Sequence, residues 1–226
     1  TSKSISEKES AINYKEGNEH DSINNIINGH EYVDLGLPSG LKWATCNVGA
    51  DSTEKAGGYY SWGETEEKSN YDKSTYLLSN YDENFNWTMT KYCTQSEYGT
   101  VDNKTILEPE DDVANVKWGD GWRMPTWGEC QELLDHCTWE WTTLNGMNGY
   151  KVSGNGNFIF LPAAGCRYYD EDVRYFGAGG AYWSSTLNTE INSAAESFSF
   201  FPEDDYLGYD RVSRYPGGCI RPVKDN

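Results

Sequence analysis

The clearest hydrophobic pattern in the chain follows Pro125, where four apolar residues recur at positions i, i+3, i+4 and i+7. This spacing places them on one face of a helix. The helix also has a start signal, because Thr126 and Glu129 form a Thr-x-x-Glu capping box in which each side chain accepts the other residue's backbone N–H. We therefore predict a helix from Thr126 to about Cys137 that packs through this stripe. The stripe consists of Cys130, Leu133, Leu134 and Cys137.

Alternating apolar and polar residues predict strands elsewhere. Two pairs of alternating segments flank Gly-containing turns and predict hairpins, at residues 31–44 and 150–161. A second short helix is expected at residues 108–116, because Pro109 and neighbouring acids suit a first helical turn. Strands at both ends with two helices between them predict an α+β domain. Further strands are predicted around residues 139–141, 182–185, 197–200 and 219–223.

Composition supports one domain spanning residues 30–226. Aromatic residues make up 15% of the 226, so aromatic rings must fill much of the core and some of them are expected on the surface. Residues 1–29 are polar and are interpreted as a flexible tether, with a short helix around residues 21–27 as the alternative.

The net charge of -18 argues against nucleic acid and anionic lipid as partners. No apolar run is long enough to span a membrane. We expect a monomer whose secretion signal or lipid anchor lay upstream and has been removed.

Cofactor and metal sites are not expected. Six cysteines are too few for a disulfide scaffold in a chain this long, and they are interpreted as small buried hydrophobes, with their disulfide state left open. Cys130 and Cys137 lie too far apart along the predicted helix to bridge each other. The acids at residues 108–112 suit either a helix dipole or calcium, and the dipole interpretation is preferred because the spacing of a calcium loop is absent.

Several sequence blocks together resemble a known family. They include the Trp-Arg-Met-Pro-Thr stretch at 122–126, Tyr-Trp-Ser-Ser at 182–185 and Gly-Cys-Ile-Arg-Pro-Val at 218–223. With these blocks the chain resembles, from about His30 to Val223, the FISUMP-type major paralogous domain family of bacterial surface and secreted proteins. The resemblance implies a C-type-lectin-like fold, close to the branch of formylglycine-generating and sulfatase-modifying enzymes. That branch implies a copper-binding cysteine pair near the C-terminus, where this chain has Cys219 alone.

Residues 165–223 also resemble the variable region of target proteins of diversity-generating retroelements. Tyr and Arg with Ser, Gly and Asp in loops are a composition typical of binding surfaces. We therefore predict a ligand-binding face built from loops around residues 168–175, 188–192 and 201–215. The alternative is an ordinary solvated loop. The predicted ligand-binding residues are Tyr168, Tyr169, Asp170, Asp172, Arg174, Tyr175, Asn188, Asn192, Phe201, Asp204, Asp205, Tyr206, Tyr209, Arg211, Ser213, Arg214 and Tyr215.

From these features we expect a non-enzymatic, surface-displayed or secreted binding module, such as an adhesin or receptor, for a protein or glycan. One alternative is an enzyme of the sulfatase-modifying type or a carbohydrate hydrolase that uses paired acids. A weaker alternative is a structural component of an envelope or fimbria.

Overall fold

A computed structural model describes residues 25–226 of the chain. Most of the predicted tether therefore lies outside the described residues. Its last part does not, because Ile26–Ile27 form a short strand that pairs with the following strand, where the alternative interpretation placed a helix. The domain thus begins a few residues earlier than the predicted boundary at residue 30.

Twelve strands and two α-helices make up the described part. The helices are α1 (Val113–Trp118) and α2 (Trp127–His136). Neither helix has the length or the apolar run that crossing a membrane requires. The strands are β1 (Ile26–Ile27), β2 (His30–Asp34), β3 (Lys42–Ala44), β4 (Ser79–Tyr81), β5 (Trp87–Met89), β6 (Thr138–Leu144), β7 (Met147–Gly154), β8 (Asn157–Pro162), β9 (Gly180–Leu187), β10 (Ala194–Phe201), β11 (Tyr206–Ser213) and β12 (Val223–Lys224).

The strands form four antiparallel sheets. The first has the order β1-β2-β3-β12, so the two ends of the described chain meet in it through Trp43, which pairs with Val33 and Val223. The others are the β4-β5 hairpin, the β6-β7-β8 meander and the β11-β10-β9 sheet. The two predicted hairpins are confirmed as β2-β3 and β7-β8. The α+β class is confirmed as well, with far more strand than helix.

The start of α2 is the predicted capping box. Thr126 Oγ1 accepts a hydrogen bond from the Glu129 N–H, and the Glu129 carboxylate accepts one from the Thr126 N–H at 2.7 Å. Glu129 also receives two hydrogen bonds from the Arg123 guanidinium, at 2.7 and 2.6 Å. The buried Trp122 ring donates from Nε1 to the Ile27 carbonyl. Residues 122–129 therefore tie the helix to the first sheet.

The other predicted helix is shorter than expected. Pro109–Asp111 form a 3-10 turn, and α1 begins only at Val113. Its N-cap is Asp112, whose buried carboxylate accepts the N–H groups of Ala114 and Asn115. An acid from the predicted first turn is thus the cap itself, because a carboxylate satisfies two free N–H donors at once.

Aromatic rings fill much of the interior, as the composition predicts. Tyr182 stacks on Phe198 with ring centroids 5.1 Å apart, and Phe200 lies against both the Tyr182 and Tyr150 rings. A second cluster contains Trp62 and Trp122. Offset and edge-to-face ring contacts stabilise such a core beyond what its buried apolar area alone contributes.

Replacing the helix cap tests the importance of the capping box. Thr126→Ala removes the acceptor for the Glu129 N–H and should lower the free energy of unfolding by about 1 kcal/mol. Thr126→Ser keeps the hydroxyl, so its free energy of unfolding should stay within a few tenths of a kcal/mol of the wild-type value. Urea unfolding followed by circular dichroism measures both variants. Equal losses in the two would assign the effect to the lost methyl group instead.

Candidate ligand-binding cavity

The region predicted to hold long variable loops contains a strand. Residues 206–213 form β11, which pairs with β10 along its whole length from Phe201 opposite Tyr206 to Ala194 opposite Ser213. The expectation that residues 201–215 form a loop is therefore wrong for residues 206–213. Successive side chains of a strand point to opposite faces of its sheet, so the aromatic and charged residues of β11 are divided between two surfaces.

One face of the β11-β10-β9 sheet belongs to the core. Phe198 lies between Tyr182 and Tyr209 in the register, and Phe200 lies opposite Leu207. Phe198 and Phe200 are both buried in the main cluster that also holds Leu133 of α2. Residues 197–200 alternate Ser and Phe, so in this part of β10 the even positions face the core and the odd positions form a polar face.

The opposite face lines a cavity of about 210 Å³. Ser197 is opposite both Trp183 of β9 and Asp210 of β11, which puts these three residues on this face. The lining also includes parts of the loop after β8 and of the segment before β12. Its residues are Cys166, Tyr168, Tyr175, Ala181, Tyr182, Trp183, Ser197, Ser199, Phe201, Asp210, Val212, Pro216, Gly217 and Gly218.

Backbone hydrogen bonds hold the loop at residues 166–176 in place beside the cavity. Cys166 and Arg174 exchange N–H···O bonds of 3.1 and 2.9 Å, and Arg167 exchanges bonds with Gly217. The loop begins at Gly165, whose φ is +66° and whose missing Cβ would lie 2.0 Å from the Arg174 carbonyl oxygen. Only glycine fits there without displacing the loop.

Exposed aromatic rings surround this cavity. Tyr175 packs edge-on against Phe201, with centroids 5.1 Å apart, and Tyr206 lies 6.4 Å from Phe201. On the other side Tyr169 lies 6.4 Å from the Tyr215 ring. We call Tyr169, Tyr175 and Tyr206, all exposed, the aromatic rim. Clustered exposed rings of this kind are more typical of binding surfaces than of solvated loops.

Three of the predicted ligand-binding residues line the cavity: Tyr168, Tyr175 and Phe201. Tyr169 and Tyr206 are on the rim, and Tyr215 contacts the Tyr168 ring at 6.4 Å. Burial, followed by a hydrogen bond in which the Tyr215 hydroxyl donates to Tyr169, raises the pKa of the Tyr215 phenol to about 12. Tyr215 is therefore a neutral hydrogen-bonding group.

Three predicted residues lie on the opposite face of the sheet. Tyr209 packs edge-on against Trp127 of α2, with centroids 4.9 Å apart. Arg211 pairs with Glu190 at 3.2 Å. Odd positions of β11 point away from the cavity, so neither side chain can reach a ligand bound there. Ser213, opposite Ala194, has the same parity.

Arg214 is fully buried, so the structure does not place it on a binding surface. Its guanidinium donates to the carbonyls of Tyr92, Asn192 and Lys91 and to the Tyr76 hydroxyl, at 2.9 to 3.0 Å. It also lies over the Trp62 ring at 4.9 Å. We assign Arg214 to the framework.

Asn188 and Asn192 are buried as well. Asn192 Oδ1 accepts the N–H groups of Thr94 and Gln95, which fixes a loop from the middle of the chain. Asn188 Oδ1 accepts the N–H groups of Glu190 and Ile191 and thereby closes the β9-β10 turn. Both amides replace backbone partners and are therefore not free to bind a ligand.

The remaining predicted residues are exposed around the cavity but do not line it. Asp170 and Asp172 lie on the outer part of the loop, where Arg174 pairs with Glu171. Asp204 and Asp205 form the β10-β11 turn, with Asp205 at a φ of +53°.

The structure adds cavity residues that the sequence prediction omitted. Asp210, Ser197, Ser199 and Trp183 all belong to the sheet rather than to loops. The Ser-Phe-Ser-Phe alternation at 197–200 was the available signal, because it marks one polar face on a strand otherwise buried.

Two other concave regions are weaker candidates for a ligand site. A cavity of about 540 Å³ lies beside Trp122 and Arg123, but Arg123 is already paired with Glu129 and Asp225. A trough of about 610 Å³ near Gly49 and Phe176 is lined by glycines and alanines together with charged and polar side chains, and Phe176 is its one aromatic residue.

The acids at residues 108–111 surround a lysine. Lys91 Nζ lies 2.7 Å from Glu108 Oε2, 3.5 Å from Glu110 Oε1 and 2.5 Å from Asp111 Oδ2. Burial alone would lower the pKa of Lys91, but hydrogen bonds to Asp111 and Glu108 raise it. The ammonium thus lies among the oxygens that a cation would need, and the residues present do not favour calcium there.

All six cysteines are free thiols, and Cys93, Cys130, Cys166 and Cys219 are buried. This agrees with their interpretation as small hydrophobes. Cys219 Sγ contacts the Ala56 carbonyl at 3.6 Å, and burial raises its pKa well above the usual value. A thiolate at Cys219 is therefore disfavoured.

No family model matches this chain, and no curated protein or solved structure matches it either. The function is therefore inferred from the cavity and its rim.

Removal of Arg214 tests its framework role. Arg214→Ala should lower the free energy of unfolding by at least about 3 kcal/mol, because a charged donor to four acceptors is lost and three buried carbonyls are left unpaired. Arg211→Ala, three residues earlier on β11, breaks only an exposed pair and should cost less than about 1 kcal/mol. Urea unfolding compares the two, and similar losses would contradict the assignment.

Cys166 offers a test of the cavity's pH response. Burial raises the pKa of its thiol to about 11, with the Arg174 charge opposing. Alkylation by iodoacetamide should therefore keep rising about tenfold per pH unit from pH 8 to 10, whereas an ordinary cysteine levels off above pH 9. Peptide mass spectrometry gives the rate at each cysteine, and a plateau at Cys166 below pH 9.5 would be inconsistent with this environment.

Proposed function

We propose that this chain is a non-enzymatic ligand-binding module, displayed on a bacterial surface or secreted, that recognises a partner through the cavity and the aromatic rim. The proposal includes a C-type-lectin-like fold and variation of the exposed positions by a retroelement. The observation that carries it is the cluster of exposed rings around a cavity on a hydrogen-bonded framework. Large rigid rings give contact area at low entropic cost.

The framework supports binding because little of it has to become ordered. The loop at residues 166–176 is tied to the segment before β12 and, through Tyr169 and Tyr71, to the loop before β4. Pre-ordered surfaces bind more tightly for the same contact area.

Rim positions can change without disturbing this framework. Tyr175 is 56% exposed and Tyr206 37% exposed, so substitutions there alter the ligand surface more than the core. By contrast, the four partners of Arg214 constrain its position fully. Diversification would therefore act on the rim.

The enzymatic alternatives receive less support. A sulfatase-modifying activity would depend on Cys219, which is buried and held neutral. For a hydrolase, the buried Glu64 is paired with Lys68 at 2.8 Å and Asp112 caps α1. Such acids are engaged in holding the fold.

Alanine substitutions on the rim test the proposal. The wild-type protein is screened against arrays of glycans and of extracellular proteins to find a partner. Tyr206→Ala should weaken binding of that partner by about tenfold or more, since a central aromatic contact contributes roughly 2 kcal/mol. Phe158 of β8 is 49% exposed on another sheet, and Phe158→Ala should leave affinity within about twofold.

Surface plasmon resonance measures these affinities, with melting temperatures as a check on folding. If Tyr206→Ala and Tyr175→Ala both bind like the wild type, the rim is not the binding surface.

A further inference from the structure

The cavity contains a carboxylate without a partner in the fold. Asp210 is half-buried in the cavity lining. The Ser197 hydroxyl donates a hydrogen bond to the backbone carbonyl of Asp210 at 3.4 Å, not to its carboxylate. Among residues 25–226, no ion pair or side-chain hydrogen bond engages the Asp210 carboxylate. A negative charge partly removed from water favours a cationic partner.

Aromatic rings surround this charge. Tyr168, Tyr175 and Phe201 line the same cavity as Asp210. Tyr206 and Asp210 are both at even positions of β11, so the rim ring and the carboxylate lie on the same face of the sheet. Rings and a carboxylate together suit a cation, because ring faces attract positive charge.

The basic side chains closest to Asp210 in sequence are engaged elsewhere. Arg211 pairs with Glu190 across the other face, and Arg214 is fixed in the core. Arg174 pairs with Glu171 and lies over the Tyr168 ring at 5.1 Å. Tyr168 thus already stacks with a guanidinium, while Asp210 has none.

The size of the cavity limits the ligand. At about 210 Å³ it is smaller than the roughly 300–1,000 Å³ typical of sites that enclose a whole small molecule. It fits one side chain projecting from a larger partner.

On the basis of the proposed function, we infer that the cavity takes an arginine side chain from a protein partner, with the guanidinium paired to Asp210 and placed against the Tyr175 and Phe201 rings. Arginine suits the site better than lysine, because a planar guanidinium can pair with a carboxylate and stack on rings at the same time. The net charge of -18 attracts basic surfaces and accelerates their association.

Capped tripeptides test this inference without knowledge of the partner. The probe is acetyl-Gly-Arg-Gly-amide, compared with peptides carrying citrulline, lysine or leucine in the middle. Citrulline has the shape of arginine without its charge. Trp183 lines the cavity and its indole N–H donates to the Tyr60 carbonyl, so its ¹⁵N-resolved NMR signal reports binding.

The arginine peptide should shift the Trp183 signal in a saturable way and bind about tenfold or more tightly than the citrulline peptide, as expected for a charge-assisted hydrogen bond. Asp210→Asn should remove this difference. Asp204→Asn, in the exposed turn after β10, makes the same charge change outside the cavity and should retain it. Circular dichroism checks that both variants fold.

Equal binding of arginine and citrulline peptides, or a difference that persists in Asp210→Asn, would overturn the inference. So would the absence of any arginine-dependent shift at millimolar peptide, or a shift of Trp183 by neutral sugars alone. These results would leave the proposed function intact if Tyr206→Ala still weakens the partner found by screening. If both experiments fail, the cavity and the aromatic rim are not a binding surface.

Discussion

The buried guanidinium of Arg214 is the interaction on which the site depends. It joins the carbonyls of Lys91 and Tyr92 to that of Asn192, residues about a hundred positions apart in the chain. A guanidinium removed from water is costly unless its donors are satisfied, and here carbonyls, a hydroxyl and the Trp62 ring provide that. Because Arg214 directly follows β11, fixing it fixes the strand and the cavity segment after it.

The strand so fixed gives the sheet two different faces. On β10 the rings of Phe198 and Phe200 anchor one face in the core, while Ser197 and Ser199 leave room on the other. A one-residue slip would exchange these faces, so packing of the rings also determines where the cavity lies. A binding surface built on strands in this way is held more rigidly than one built on loops alone.

Local patterns predicted the elements that depend on neighbours in sequence. The Thr126–Glu129 capping box and the β7-β8 hairpin around Asn155-Gly156 each involve residues a few positions apart. The strand β11 was missed because tyrosines and charges occur on both of its faces, which hides the alternation. Arg214 and Asn192 stand in polar stretches of sequence that are typical of a surface. Both are buried because their hydrogen-bond partners come from parts of the chain far away in sequence.

The same distinction explains why the structure brings only some of the predicted site residues together at the cavity. Composition correctly located a concentration of tyrosines, but composition cannot assign side chains to faces. Tyr206 and Tyr209 are three positions apart and lie on opposite sides of the sheet, one on the rim and one against Trp127. Parity along β11 therefore determines which residues face the cavity, and it is parity that places Asp210, rather than Arg211, inside it.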